Sequence, residues 1–297
     1  MDDALIEASA APTHPAWRIG NLLDVRPAAS FAAGHVAGAF SRPLPAPPWS
    51  EQALAVALPA VLLPSRHAPL LILAASFAAA RAVRDFLRAR GRLTVDACFF
   101  DAEDLARLPA DAVTTGTGAT GLWRPPHFLR EQASLLPPPA AGPVLDLGAG
   151  SGRASVWLAA RGYTVTAIDH LPDALELARE LIRAEGVDPA RVTLLVRDLC
   201  DPDAVPPGPW AAALAFRYLE RPLLRGLSGK LRPGGVAMVR TFRRAGTRTA
   251  AMRQRFLLAP GELPLLFPDP PFETLVYRED DDPDGRPAAG IVARLRG

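Results

Sequence analysis

Short apolar runs closed by turn residues alternate along this chain with longer stretches in which apolar positions return every three or four residues. In the first half, NLLDV at 21–25, PLLILA at 69–74 and TVDACFF at 94–100 read as buried parallel strands. SFAAARAVRDFLRARG at 76–91 has helical spacing and reads as the crossover helix between the last two, closed by Gly91. The second half repeats the grammar more fully. PVLDLG, YTVTAID, RVTLLVRD, AAALAF, VAMVRTF and FETLVY are strand-like, and SVWLAARG, DALELARELIRAEG and PLLRGLSGKL lie among them as helices. Alternation of this kind predicts an α/β chain whose parallel sheets are covered on both faces.

Between the halves, LPADAVTTGTGATG is poor in large apolar residues and rich in Gly and Thr, the composition of a flexible linker. The expected organisation is an N-terminal extension over 1–20, one domain over 21–108, a linker over 109–121 and a second domain over 122–297. A chain of 297 residues readily builds two moderate cores.

Composition narrows the chemistry. The net charge is +2 with basic and acidic residues interspersed, so no nucleic-acid partner is expected. Lys230 is the one lysine in the sequence, which leaves almost no residue for a Schiff base or a P-loop. Cys98 and Cys200 lie far apart, and His14, His35, His67, His127 and His170 have no metal-binding spacing, so no metal is expected. MDDALIEASAAP lacks the apolar core of a secretory signal, and Pro, Arg or Asp interrupts every long apolar run. A cytoplasmic protein away from membranes is the expectation.

The strongest local signal is VLDLGAGSGRAS at 144–155. A strand carries Asp146, glycines stand at 148, 150 and 152, and a helix opens at once. Glycine lets the backbone turn tightly and approach a ligand with no Cβ in the way, and a helix N-terminus offers unpaired amides. The spacing is GxGxG rather than the GxGxxG of dinucleotide sites, which argues against a nicotinamide oxidoreductase. The next strand ends in Asp169, where such folds place an acid on ribose hydroxyls. A third reaches Asp198, suited to accept from an adenine amino group. Three acids at the ends of successive parallel strands would line one crevice. The plainer alternative makes Asp169 and Asp198 helix caps or loop residues.

In order and spacing, VLDLGAGSGRAS, TAID and LVRDL resemble the successive motifs of class I S-adenosylmethionine-dependent methyltransferases, which have a Rossmann-like fold. The resemblance covers roughly 122–297, and YLERPLLRGLSGKLRPGG, RTF and RFLLAPGEL are most similar to the branch related to tellurite-resistance enzymes. It implies that Asp146, Gly148, Ala149, Gly150 and Gly152 shape the pocket for the methionine part of S-adenosyl-L-methionine. Asp169 with His170 would hold the ribose, Asp198 with Leu199 would border the adenine, and Phe216, Arg217 and Tyr218 would face the transferring methyl. The implied acceptor is a small molecule, and a thiol or chalcogen anion would need no base; for other acceptors Tyr218, Glu220 and His127 are the candidates. Arg240, with Arg217 and Arg221, suggests either an electropositive mouth favouring an anion or, more simply, a solvated arginine face, while EDDDPDG at 279–285 reads as a solvated turn between the last two strands. The alternative function is a cofactor-binding regulator without turnover.

Asp24 and Arg26 in LLDVR, Phe31, and GHVAGA at 34–39 resemble the first part of a rhodanese domain. Active members of that family open a loop with a cysteine after the central strand. Here Ala74 or, in another register, Ser76 stands there. A hydroxyl cannot form the S–S bond that sulfur transfer requires, so this domain is expected to lack sulfurtransferase activity. Cys98 reads as a buried, inert thiol in the following strand.

Overall fold

The computed structural model describes residues 5–297 except 65, 67, 119–120, 246–251 and 284. His67, the first four residues of the N-terminal extension, two residues of the expected linker and Asp284 of the acidic run therefore lie outside the described residues. The chain divides into two compact units, Met1–Trp123 and Arg124–Gly297.

In the first unit, β1 (Leu22–Asp24), β2 (His35–Val36), β3 (Phe40–Ser41), β4 (Leu70–Ala74), β5 (Val95–Phe99) and β6 (Val113–Thr114) follow in chain order. Four of them form a parallel sheet in the order β3-β1-β4-β5. Every residue of β4 is buried, as its unbroken apolar run requires of a central parallel strand. The helix Phe77–Ala89 packs beside it through Ala80, Val83 and Leu87, whose spacing of three and four puts them on one face. The polar residues of LLDVR and GHVAGA have partners within the unit. Arg26 donates from Nε and Nη2 to Asp24 at 3.0 and 2.7 Å and from Nη2 to the Gly34 carbonyl at 2.9 Å. The Phe31 and His35 rings stack with centroids 3.7 Å apart.

The stretch read as a linker is in part a strand. β6 pairs antiparallel with β2, His35 opposite Thr114 and Val36 opposite Val113, and the Gly116 amide donates to the Ala32 carbonyl. Small residues and threonines suit a turn-rich tail that lies against the body of its own unit as well as they suit a free linker, so composition could not separate the two.

The second unit contains β7 (Val144–Leu147), β8 (Val165–Asp169), β9 (Val192–Val196), β10 (Trp210–Phe216), β11 (Leu231–Phe242), β12 (Phe272–Asp281) and β13 (Pro287–Leu295). They form one sheet in the order β12-β13-β11-β10-β7-β8-β9. From β9 to β11 the neighbours run parallel. β13 is antiparallel to both β11 and β12, which corrects the expectation of an all-parallel sheet. Too little chain separates β12 from β13 for a crossover helix, so a hairpin is the connection available. The helix expected across 222–231 is also shorter: Arg221–Arg225 is helical, a 3-10 turn follows, and Leu231 already opens β11.

Apolar layers cover both faces of this sheet, one including Leu145, Leu147, Ile168 and Phe267, the other Phe128, Val144, Leu158 and Met238. After β9 the chain returns to the other side of β7 to lay down β10. The order therefore reverses between β7 and β10, and the carboxyl ends of the strands at that reversal are the crevice position where open α/β sheets usually bind ligands.

Candidate functional site

The glycine loop lies at this reversal. Gly148, Gly150 and Gly152 have φ of 70°, 54° and 70°, the left-handed region that side chains disfavour. A Cβ on Gly148 would fall 2.5 Å from the Tyr218 ring and one on Gly152 2.7 Å from the Ala178 Cβ, whereas Gly150 faces open space. Two of the glycines are therefore needed for packing, and the middle one leaves room for a ligand.

The amides of this loop do not form the free cradle that the sequence suggests. Gly148 and Ala149 donate to the Ile168 carbonyl at 2.9 and 3.0 Å, and Gly152 donates to the Ala149 carbonyl at 3.0 Å. Gly150 donates to Asp169 Oδ2 at 2.8 Å, and Asp169 Oδ1 accepts from the Leu171 amide at 3.0 Å. Asp169, buried to 8% exposure, thus ties the glycine loop to the turn that starts the helix Pro172–Ala184. It has the turn role of the plainer reading, and it stands at the crevice. The exposed His170 ring lies 3.4 Å from its Oδ1.

Asp146 departs from the expected lining. Its side chain is buried, and Oδ2 accepts from the Ser155 hydroxyl at 2.6 Å, fastening β7 to the helix Arg153–Ala159 beneath the loop. Burial, above all, raises its carboxyl pKa from the ordinary 3.8 to about 6; the Ser155 hydrogen bonds oppose this and the Asp169 charge adds to it. A raised carboxyl pKa makes the folded state bind more protons than the unfolded state, so this group lowers stability as pH rises from about 3.8 to about 6. Asp146→Asn, which keeps an acceptor for Ser155, is expected to flatten that slope. Chemical denaturation of both proteins at a series of pH values in this window checks it, and identical slopes would remove Asp146 as the cause.

Asp198 lies just past β9, is exposed, and accepts from the Cys200 amide at 2.9 Å, which holds its pKa below the usual range. Leu199 is buried in the core rather than in the crevice. Phe216 ends β10 and packs against the layer that holds Val144 and Met238. Tyr218 packs on the opposite layer with its ring over Gly148. Burial, aided by the charges of Cys200, Glu220, Asp198 and Asp169, pushes its phenol pKa well up, so it remains a proton donor at neutral pH rather than a base. Glu220 accepts from the Cys200 thiol at 3.6 Å. His127 faces Glu131 at 3.2 Å on its own helix.

The expected arginine mouth divides. Arg240 is buried, pairs with Asp280 at 2.7 Å and donates from Nε to Asp282 at 2.7 Å. Arg221 pairs with Glu262 and donates to the Arg255 and Leu257 carbonyls. Arg217 is the exposed member. The acidic run is the expected turn only in part: the connection between β12 and β13 begins at Asp282, but Glu279, Asp280 and Asp281 belong to β12, and Asp280 and Asp282 are the partners of arginines. Sequence reasoning missed Ser155, Ala178 and Asp282. Of these, only Ser155 carried a local signal, one helical turn inside the glycine motif.

Residues 144–235 match the protein-family model described as a methyltransferase domain. The ubiquinone biosynthesis O-methyltransferase of Xanthomonas axonopodis pv. citri (strain 306) is 32% identical over 135 residues, 42% of this chain and 55% of the relative. The match thus spans about half the length of that curated protein. Among solved structures, TehB from Haemophilus influenzae is 20% identical, with 57% of this chain and 61% of that chain covered and a TM-score of 0.46. A structure concerned with conversion of a disulfide bond into a thioacetal group during echinomycin biosynthesis is 21% identical, covering 58% and 82% of the two chains at a TM-score of 0.46. The domain match bears directly on the crevice, because it contains the glycine loop, Asp169, Asp198 and Tyr218.

Proposed function

We propose that this chain, in which residues 144–235 match a methyltransferase domain, transfers a methyl group from S-adenosyl-L-methionine to a small-molecule acceptor, a thiol or a chalcogen anion. The observation that carries the reading is the joining of glycine loop and acid at the sheet's reversal, with Gly150 bonded to Asp169 beside open space. The residues fit the cofactor. Left-handed Gly148, Gly150 and Gly152, with Ala149, would shape the turn beside its amino-acid part, and Gly150 leaves the open space for it. Asp169 with His170 suits the ribose, and Asp198, followed by core-buried Leu199, would border the adenine. When bound, S-adenosyl-L-methionine supplies an electrophilic methyl group on a sulfonium.

The protein's part is then mainly orientation. Holding a nucleophile in line with that methyl can lower the barrier by several kcal/mol without a strong base. Phe216, Arg217 and Tyr218 follow one another where β10 ends, and in this reading they bound the acceptor. Tyr218 remains protonated and can donate to an acceptor heteroatom, while Glu220 is the carboxylate available to an acceptor that must lose a proton.

A screen of thiols, chalcogen oxyanions, small carboxylates and oxygen acceptors for formation of S-adenosylhomocysteine tests the proposal. Product that depends on both acceptor and Asp169 supports it. Tight S-adenosylhomocysteine binding with no turnover on any class would favour the regulator, and binding of NAD in place of S-adenosylhomocysteine would overturn both.

We further infer that the first unit is a rhodanese-like module without sulfurtransferase activity. Ala74 ends β4, and the Ser76 hydroxyl accepts from the Ala79 amide at 3.2 Å as the cap of the helix that follows. Neither position holds a thiol. Cys98 is fully buried, and burial, reinforced by Asp104 and Asp24, pushes its pKa up to about 12, so it remains protonated. A thiosulfate:cyanide assay on the full chain is expected to read background only. Turnover surviving Cys98→Ser would refute this.

A further inference from the structure

Among the described residues, Arg217 is the one residue other than glycine with a positive φ, 58°. This conformation strains any side chain with a Cβ, and such strain gathers where a group must be held in a particular place. The surroundings enforce it. The Arg217 amide donates to the Arg240 carbonyl at 2.8 Å, its guanidinium donates to Asp282 Oδ2 at 3.1 Å, and that guanidinium lies 5.4 Å from the centre of the Phe242 ring. Its side chain is nonetheless 45% exposed.

The charges around it are unequal. Asp282 is shared, its other oxygen accepting from buried Arg240 at 2.7 Å. Arg286 lies over the same Phe242 ring at 4.2 Å. Arg153, the first residue of the helix after the glycine loop, senses the Arg217 charge: burial and then that charge lower its pKa to about 10. Tyr218, the residue after Arg217, is under the influence of the negative charges of Glu220, Asp198 and Asp169.

Resting on the methyltransferase reading, we propose that Arg217, positioned by Asp282 and flanked by Arg286 on Phe242, binds an anionic oxygen group of the acceptor, a carboxylate or a compact oxyanion. A guanidinium presents paired N–H donors that match such a group, and a fixed backbone reduces the entropy lost on binding it. Asp282 is a positioning residue in this arrangement, acting through Arg217.

Calorimetry on the full chain, with and without saturating S-adenosylhomocysteine, would compare benzoate, inorganic phosphate and neutral benzamide. Benzoate or phosphate, and not benzamide, is expected to bind, and which of the two binds tells a carboxylate site from an oxyanion site. Arg217→Asn, a residue type that tolerates left-handed backbone, is expected to weaken the anion about tenfold or more, the scale of one charge-assisted hydrogen bond. Thermal unfolding verifies that the variant is folded. Asp282→Asn should weaken the anion in the wild-type background and add nothing in the Arg217→Asn background, a coupling that a purely structural role would not produce. Benzamide binding as tightly as benzoate, no anion binding, or anion binding untouched by Arg217→Asn would each overturn the proposal. Failure of S-adenosylhomocysteine to bind would instead strike the methyltransferase reading, which the ligand-free titration separates.

Discussion

Gly148→Ala is expected to be among the most damaging single substitutions in the second unit. Two costs add. The backbone at φ 70° costs a residue with a Cβ about 1 kcal/mol. The new methyl would also lie 2.5, 2.6 and 2.7 Å from the Cγ, Cδ2 and Cβ of Tyr218, atoms close to that residue's own backbone rather than the far end of a flexible chain. Tyr218 follows β10 directly and packs on the core, so moving it disturbs both the sheet end and the crevice. An overall destabilisation of roughly 2–4 kcal/mol is expected, since overpacking and backbone strain each contribute. S-adenosylhomocysteine affinity should fall with it by at least about tenfold, because the wall formed by Tyr218 and the loop shifts together. Chemical denaturation and calorimetry measure the two effects. Gly150→Ala is the internal comparison, as its added methyl meets nothing within 4 Å and leaves the backbone cost alone. Equal destabilisation by the two variants would show that the Tyr218 contact is not responsible.

Asp169→Ala is expected to weaken S-adenosylhomocysteine by about 1.5–3 kcal/mol, the range for hydrogen bonds to a charged group. The loss has two physical parts. The carboxylate would no longer meet a sugar hydroxyl, and the Gly150 and Leu171 amides that it accepts at 2.8 and 3.0 Å would lose their partner, loosening the loop against β8. Asp169→Asn separates these parts, because an amide keeps one acceptor for the loop and replaces the second with a donor. Substantial loss of affinity in Asp169→Asn with nearly unchanged melting temperature would assign the effect to the ligand. A lower melting temperature with unchanged affinity would leave Asp169 as a turn residue and remove it from the ribose assignment.

Much of this architecture is legible locally. The helix Pro172–Ala184 announces itself by apolar residues three and four apart, and Leu175, Ala178, Leu181 and Ile182 are indeed its buried face. The glycine turn is legible for the same reason: a strand that ends, three glycines that permit left-handed backbone and a helix that begins are all properties of neighbouring residues. The turn between β12 and β13 was legible, but the antiparallel seating of β13 against β11 was not, since an apolar run records burial and not the direction of its partner. The arginine mouth misread for a related cause. Arg240 and Asp282 are separated by 42 positions, and only the hairpin pairing brings one beside the other.

By itself, then, the sequence determined the central strands and the long helices, where the backbone must turn without a Cβ, and that the first unit has no thiol where β4 ends. Those are consequences of side-chain volume, periodicity and chemical type at single positions. The tertiary structure decided which polar groups are spent on the protein and which are left for a ligand. Asp146 goes to Ser155, Arg240 to Asp280 and Asp282, and the loop amides to Ile168 and Asp169, while the Arg217 guanidinium is both bonded to Asp282 and 45% exposed. Hydrogen bonds and ion pairs depend on distances between segments remote in the chain, and no residue type reveals its partner until the sheet order has been set.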